Sequence, residues 1–195
     1  MDQNLIQENL KSLKNNLLIK KEKGDKKGIA EILNQLGMIY QDRGDFHEAI
    51  DFYRQSLDIE NKCYGPNHPQ VARTANNLGS VLQNLGDLVG AKKLYERALE
   101  IGEAAYGPDH PQVAINVNNL GVVLQAMGDL EGAKKYLERA LRIDEKVYGP
   151  DHFQVATDVN NLGEVLHDMG DLEGAKKYLE RALRIDEKVY GPDHP

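Results

Sequence analysis

Asn118-Asn119-Leu120-Gly121 decides the fold, because copies of this stretch recur along the chain. Identical copies begin at Asn76 and Asn160, and a looser copy, Asn34-Gln35-Leu36-Gly37, precedes them. Each copy begins 42 residues after the one before it. A fixed period of this length indicates one supersecondary unit stacked on copies of itself. The sequence therefore predicts a repeat array and not a closed globule.

Each repeat is predicted to consist of two helices joined by a tight turn. In the first complete repeat, one helix runs from Gly28 to about Asp42 and a second ends near Tyr64, with the break at Arg43-Gly44-Asp45. Glycine can end one helix in the left-handed conformation while aspartate caps the next. Asp45 followed by Glu48 is a capping-box pattern.

A glycine inside each first helix predicts a close helix contact. Gly121, for example, falls in the middle of an apolar stripe that runs from Val113 to Leu124. An interior glycine costs up to about 1 kcal/mol relative to alanine. We expect that this cost is offset because the missing side chain lets two helices approach closely.

The connectors between repeats contain Asp-His pairs, as in Tyr106-Gly107-Pro108-Asp109-His110-Pro111. Both side chains are good metal ligands, but successive repeats lie about 10 Å apart, which is too far to share a metal at bond lengths of about 2 Å. Capping and turn chemistry explain the pairs, so we expect no metal and no other cofactor.

Composition limits the classes of partner. The formal net charge of −7 over 195 residues argues against nucleic acids and anionic membranes, since both attract basic surfaces. Cys63 is the only cysteine, which excludes an intrachain disulfide. The N-terminal region mixes charged residues among its leucines and has no apolar run of signal or membrane-spanning length. We expect a soluble, cytoplasmic protein.

One set of positions recurs through all four repeats and is, in the second repeat, Asn77-Leu78-Gly79, Leu82, Gly86-Asp87, Ala91, Tyr95 and Ala98. This pattern resembles the tetratricopeptide repeat consensus, and the 42-residue period and the Gly-Pro-Asp-His-Pro-Gln-Val-Ala connector resemble the arrays of kinesin light chains. The resemblance implies an all-α fold, a right-handed α-solenoid of antiparallel helix hairpins. It also implies that the first helices line a concave groove that binds peptide segments of partner proteins, and it implies no catalysis.

The repeat pattern also divides the chain. The helix predicted for residues 4–23 matches a second helix, so residues 1–27 are interpreted as a capping half repeat. Four repeats follow, at 28–68, 69–110, 111–152 and 153–195.

The last two repeats differ at only six positions, and five of these lie inside the first helix. Four of the five fall within a stripe about 100° wide. Neutral drift at exposed sites would explain some differences, but the equally exposed second helices are identical. A groove that reads a ligand explains the concentration on one stripe. The five differences are Ile115/Thr157, Asn116/Asp158, Val122/Glu164, Gln125/His167 and Ala126/Asp168.

We assign the peptide-binding groove to the equivalent positions of all four repeats, where they also match the groove positions of the family. The first asparagine of each motif would form a ladder that pairs with a peptide backbone, and scaffold hydrogen bonding is the alternative role. Acids at both ends, among them Glu31 and Asp42, and an apolar middle predict an extended peptide with an apolar anchor and one or two basic residues. The assigned residues are Asn34, Met38, Gln41, Arg73, Asn76, Ser80, Gln83, Asn84, Ile115, Asn118, Val122, Gln125, Ala126, Thr157, Asn160, Glu164, His167 and Asp168.

Two functions remain after this reading. The first is a non-catalytic scaffold that binds a protein or peptide partner. The second is a structural module, a fragment of a longer array or an engineered repeat protein, that forms a homo-oligomer by stacking through an uncapped last repeat. An enzyme is not expected, because no nucleophile, phosphate loop or metal-ligand set accompanies His167, Asp168 and Glu164.

Overall fold

The structure, a computed structural model, describes the backbone of residues 3–191 and the side chains of residues 6–191. Within this range every regular element is an α-helix and no strand occurs, which confirms the predicted all-α repeat fold. The helices are α1 (Gln3–Glu22), α2 (Lys26–Asp42), α3 (Phe46–Tyr64), α4 (Pro69–Asn84), α5 (Leu88–Tyr106), α6 (Pro111–Ala126), α7 (Leu130–Tyr148), α8 (Phe153–Asp168) and α9 (Leu172–Tyr190).

The helices form two compact units, Met1–Ile101 and Gly102–Pro195. In the first unit α1 packs on α2, α2 on α3 and α3 on α4. In the second unit the same order holds from α6 to α9. We call α2, α4, α6 and α8 the first helices and α3, α5, α7 and α9 the second helices. The helix limits predicted around Gly28, Asp42 and Tyr64 agree with those of α2 and α3.

The mid-helix glycines lie where a second helix comes closest. A Cβ added at Gly37 would lie 2.7 Å from Tyr53 Cε1, and one at Gly121 would lie 2.6 Å from Leu137 Cγ. Tyr53 and Leu137 are both completely buried. The predicted close approach is confirmed, because no side chain larger than hydrogen fits between these helices.

The turns within the hairpins confirm the predicted glycine and aspartate roles at most positions. Gly128 has φ of +84°, and the Asp129 carboxylate accepts a hydrogen bond of 3.0 Å from the backbone N–H of Gly132. Equivalent caps of 2.9 Å occur at Asp87 and Asp171.

The capping box predicted at Asp45 is wrong. Its side chain makes no cap hydrogen bond, and instead it pairs with Arg43 at 3.0 Å. The capped turns have glycine three residues after the aspartate, where a Cβ at Gly132 would lie only 2.4 Å from Asp129 Oδ2. Glu48 has a side chain at this position, so the carboxylate of Asp45 loses that space and turns to Arg43.

The connectors use histidine as the helix cap. The Nδ1 atoms of His68, His110 and His152 accept hydrogen bonds of 3.1 to 3.2 Å from the backbone two residues later. Each imidazole also stacks on the tyrosine that ends the previous helix, with ring centroids 4.4 to 4.6 Å apart. The aspartate before the histidine has another partner, since Asp109 accepts from Lys146 at 2.7 Å. The Asp-His pairs are therefore capping and turn elements.

Two further observations concern the described part of the chain. Within it, no cluster of three or more His, Cys, Asp or Glu side chains is arranged to hold a metal ion. None of the helices described above combines the length and the apolar character needed to cross a lipid bilayer.

Substitution of the buried glycine tests the helix contact. We expect Gly121→Ala to destabilise the fold by about 1–3 kcal/mol, because the methyl group overpacks a closed interface. Gly163→Ala is the matched control, since its Cβ would meet Leu179, which is 36% exposed and can move away. Urea unfolding followed by circular dichroism measures both effects. Equal stability of Gly121→Ala and the wild type would contradict this account of the contact.

Candidate functional site

The predicted groove residues lie on first helices that contact each other within each unit. In the first unit α2 contacts α4, and in the second unit α6 contacts α8. We describe the two surfaces separately. The α2–α4 surface consists of Asn34, Met38, Gln41, Arg73, Asn76, Ser80, Gln83 and Asn84. The α6–α8 surface consists of Ile115, Asn118, Val122, Gln125, Ala126, Thr157, Asn160, Glu164, His167 and Asp168.

Asn34, the first member of the predicted asparagine ladder, is only 2% exposed. Its Nδ2 donates to Thr74 Oγ1 at 2.6 Å, and its Oδ1 accepts from Asn77 at 3.4 Å. Both ends of this amide therefore join α2 to α4. At this position the hydrogen bonding within the scaffold that we considered as the alternative role is present.

Two glutamines of the α2–α4 surface are held by buried tyrosines. The Tyr53 hydroxyl donates to Gln41 Oε1 at 2.9 Å, and the Tyr95 hydroxyl donates to Gln83 Oε1 at 3.0 Å. Gln41 Nε2 then donates to Ser80 Oγ on the neighbouring first helix at 3.1 Å. Burial raises the pKa of Tyr95 to about 12, so this phenol stays a donor at physiological pH.

The tyrosine hydroxyls fix the orientation of both amides. The more exposed side chains of the α2–α4 surface are Met38, Arg73 and Asn84, while Asn76, Ser80 and Gln83 are half-buried. This surface therefore combines a thioether, a guanidinium group and several amides.

The α6–α8 surface is organised differently because Leu137 replaces the tyrosine. Without a hydroxyl beneath it, Gln125 donates from Nε2 to Asp168 Oδ2 on α8 at 2.7 Å. His167 Nδ1 lies 3.6 Å from the other oxygen of Asp168. The carboxylate of Asp168 is thus the centre of a small polar cluster at the C-terminal ends of α6 and α8.

Two asparagine hydrogen bonds occur on this surface, one that joins α6 to α8 and one within α8. Asn161 Nδ2 donates to Asn118 Oδ1 at 2.9 Å, and Asn160 Nδ2 donates to Glu164 Oε1 at 3.0 Å. Asn118 and Asn160 are half-buried, in contrast to Asn34. Asn161, the second asparagine of its motif, therefore joins neighbouring repeats.

The apolar and acidic members of the α6–α8 surface are accessible. Ile115 is 38% exposed, Val122 is half-buried and packs against the core, and Ala126, Glu164 and Asp168 are exposed. The surface carries two carboxylates and no Lys or Arg. It is therefore acidic with an apolar patch.

Asn116 and Asp158 do not belong to this surface. They are 7% and 3% exposed. The difference between Asn116 and Asp158 therefore lies in the interface between repeats, unlike the other four differences within the first helix. Asp158 meets a second buried acid, Asp144 of α7, and burial together with Asp144 raises the pKa of Asp158 to about 8. The sequence analysis did not identify this pair. The 42-residue period shows only that Asp144 and Asp158 are equivalent to Glu60 and Thr74.

Comparison with known protein families identifies the repeat. A tetratricopeptide repeat model matches residues 28–88 and 70–146, and a second tetratricopeptide repeat model matches residues 159–195. The chain belongs to the tetratricopeptide repeat family. Repeats of this family generally mediate protein–protein interactions and typically form non-catalytic scaffolds. No curated protein sequence matches the chain.

Solved structures of kinesin-light-chain-like repeat proteins share the fold. BtubC (BKLC) from P. vanneervenii is 24% identical with a TM-score of 0.78, over 95% of this chain and 82% of that one. A putative kinesin light chain of Podosopora anserina with nearly identical TPR-like repeats is 22% identical to this chain. Its TM-score is 0.77, and the match covers 95% of this chain and 89% of that one. A variant of the latter is 20% identical with a TM-score of 0.79, over 94% of this chain and 88% of that one. At these identities the likeness concerns the fold alone.

The different burial of the asparagines predicts different costs of removal. We expect Asn34→Ala to destabilise the fold by about 1–3 kcal/mol, because it removes a buried amide that bonds both Thr74 and Asn77. Asn160→Ala should change stability by less than about 0.5 kcal/mol, since its bond to Glu164 is exposed. Urea denaturation of both variants measures the difference. Equal costs would show that the two asparagines have the same environment in solution.

Proposed function

We propose that this chain is a non-catalytic scaffold that binds extended segments of a partner protein on the α2–α4 and α6–α8 surfaces. The observation that carries the proposal is the pattern of differences between two nearly identical repeats. α7 and α9 have the same sequence from end to end, whereas α6 and α8 differ at six positions, of which five are accessible. Drift would have changed exposed positions on all four helices.

The chemistry of the α6–α8 surface supports a partner segment with an apolar anchor and one or two basic residues. Glu164 and Asp168 are exposed acids that can pair with a lysine or arginine. Ile115, Val122 and Ala126 offer an apolar patch for one side chain. These features complement such a segment in both charge and polarity.

Main-chain recognition would come from the half-buried asparagines. A carboxamide has both donors and an acceptor, so it can pair with an extended peptide without reading its sequence. Asn160 Nδ2 is bonded to Glu164, and its Oδ1 can accept from a peptide N–H. Asn34 remains within the assigned groove, but its bonds to Thr74 and Asn77 favour a structural contribution there.

Neutralising the two acids tests this chemistry. We expect Glu164→Gln/Asp168→Asn to weaken the binding of basic peptides by roughly three- to tenfold, because an exposed ion pair contributes at most about 1 kcal/mol. The matched control is Glu180→Gln/Glu187→Gln, which removes the same charge from exposed positions of α9. Fluorescence anisotropy with peptides selected from a randomised library measures both. Preferential selection of acidic peptides would contradict the proposal.

A second candidate function, assembly with another copy of the chain, has its own supporting observation. The identical helices α7 and α9 are covered differently: Leu137 and Leu141 of α7 are 0% and 7% exposed, but Leu179 and Leu183 of α9 are 36% and 59% exposed. Exposed apolar clusters of this kind often mark association surfaces.

Light scattering distinguishes assembly from simple exposure. If α9 binds a second copy, the mass at high concentration exceeds the 21.8 kDa of one chain, and Leu183→Gln restores the monomer. Met127→Gln is the control, because Met127 is 42% exposed but lies outside α9. A monomer at every concentration would reject assembly and leave the scaffold proposal unaffected.

A further inference from the structure

Two carboxyl groups are buried against each other where α7 meets α8. Asp144 is 5% exposed and Asp158 is 3% exposed. The equivalent side chains two repeats earlier, Glu60 and Thr74, are hydrogen-bonded to each other, so the repeat places the two carboxyl groups opposite each other, close enough that each shifts the pKa of the other. Asp144 Oδ1 and Asp158 Oδ2 are buried, and no N–H or hydroxyl group donates to them. An ionised carboxylate only accepts hydrogen bonds. A hydrogen bond between these two groups therefore requires that one of them carries a proton.

The surroundings favour the protonated pair. Burial raises the pKa of Asp144, and the hydrogen bond with Asp158 and the neighbouring His152 oppose this effect. For Asp158, burial, Asp144 and Glu145 all raise the pKa. Glu145 is itself paired with Arg181 of α9 at 2.5 Å, and α6 has no ionisable side chain.

The other repeat interfaces fill the same two positions without a second acid. In the first unit Thr74 Oγ1 donates to Glu60 Oε1 at 3.1 Å, so the buried acid faces a hydroxyl and not a second carboxyl group. In the second unit Asn116 stands opposite Gly102, where an added Cβ would lie 3.2 Å from Asn116 Nδ2. Asp144 and Asp158 thus differ from both pairs in needing a proton to make their contact.

We propose that a proton shared between Asp144 and Asp158 holds α7 against α8, so that this helix contact weakens as the pH rises above neutrality. Removing the proton leaves two buried like charges in contact, which is strongly unfavourable. If the groove function proposed above is correct, the weakening also affects binding, because α8 carries Asn160 and Glu164.

The direction of the pH effect follows from proton linkage. The folded state binds this proton more tightly than the unfolded state, in which an aspartate has a pKa of about 3.9. The contribution to stability is therefore complete below about pH 4, decreases as the pH rises, and is lost once the pH passes the folded pKa of about 8.

The chain supplies its own control substitutions. Asp158→Asn introduces the amide that Asn116 provides in the preceding repeat, and it removes the second acid. Asp186→Asn changes the α9 equivalent of Asp144, which is exposed. Urea unfolding of the full chain between pH 5 and 9 compares these variants with the wild type without any ligand.

Each unit of displaced pKa changes the unfolding constant tenfold. Between pH 5 and 9 we therefore expect the unfolding constant of the wild type and of Asp186→Asn to rise at least about tenfold more than that of Asp158→Asn. Burial also raises the pKa of Glu60, but this effect is common to all three proteins. Parallel pH dependence of all three would overturn the proposal.

Carboxyl ¹³C NMR of the wild type provides a second measurement that does not depend on the folding of a variant. We expect the Asp144 and Asp158 pair to take up its shared proton above pH 6. Titration of both carboxyl groups below pH 5 would overturn the proposal.

Discussion

The contact between a mid-helix glycine and a large side chain of the paired helix sets the geometry of each repeat. Gly37 and Gly79 lie against the rings of Tyr53 and Tyr95, and Gly121 lies against Leu137. Because each contact leaves no room for a methyl group, it fixes the distance between the two helices. It also decides what lies beneath the accessible face, since a tyrosine hydroxyl reaches that face and a leucine does not.

Within the second unit, the second helices are identical, whereas the first helices differ at accessible positions. The identical helices α7 and α9 each present an arginine to the preceding repeat: Arg139 Nη2 contacts Glu103, and Arg181 Nη2 contacts Glu145, both at 2.5 Å. These inter-repeat contacts depend on residues that do not differ between the repeats. The accessible differences on α6 and α8 change the chemistry of the surface without touching these contacts, whereas the buried difference Asn116/Asp158 lies in the repeat interface.

The fold could be predicted from the sequence because its determinants are local and periodic. The break at Gly44 and the limits of α2 and α3 follow from turn residues and apolar spacing. Asp45 failed as a cap because Arg43 and Glu48 compete for its carboxylate and its space. Asn34 and Asn118 occupy equivalent positions of the repeat, but the pattern does not show that the amide of Asn34 is buried in a hydrogen bond to Thr74. Many side-chain partners across repeats lie 36 to 43 positions apart, and the periodicity of a single helix does not identify them.

Hydrogen exchange measured by mass spectrometry, with and without a saturating peptide selected for binding, tests the central claim most directly. The account predicts slower exchange in α2, α4, α6 or α8 when the peptide is bound, while α7 and α9 remain unchanged. Protection confined to the second helices would contradict it, because the ligand would then be bound by the helices that are identical between the last two repeats and not by the first helices that differ.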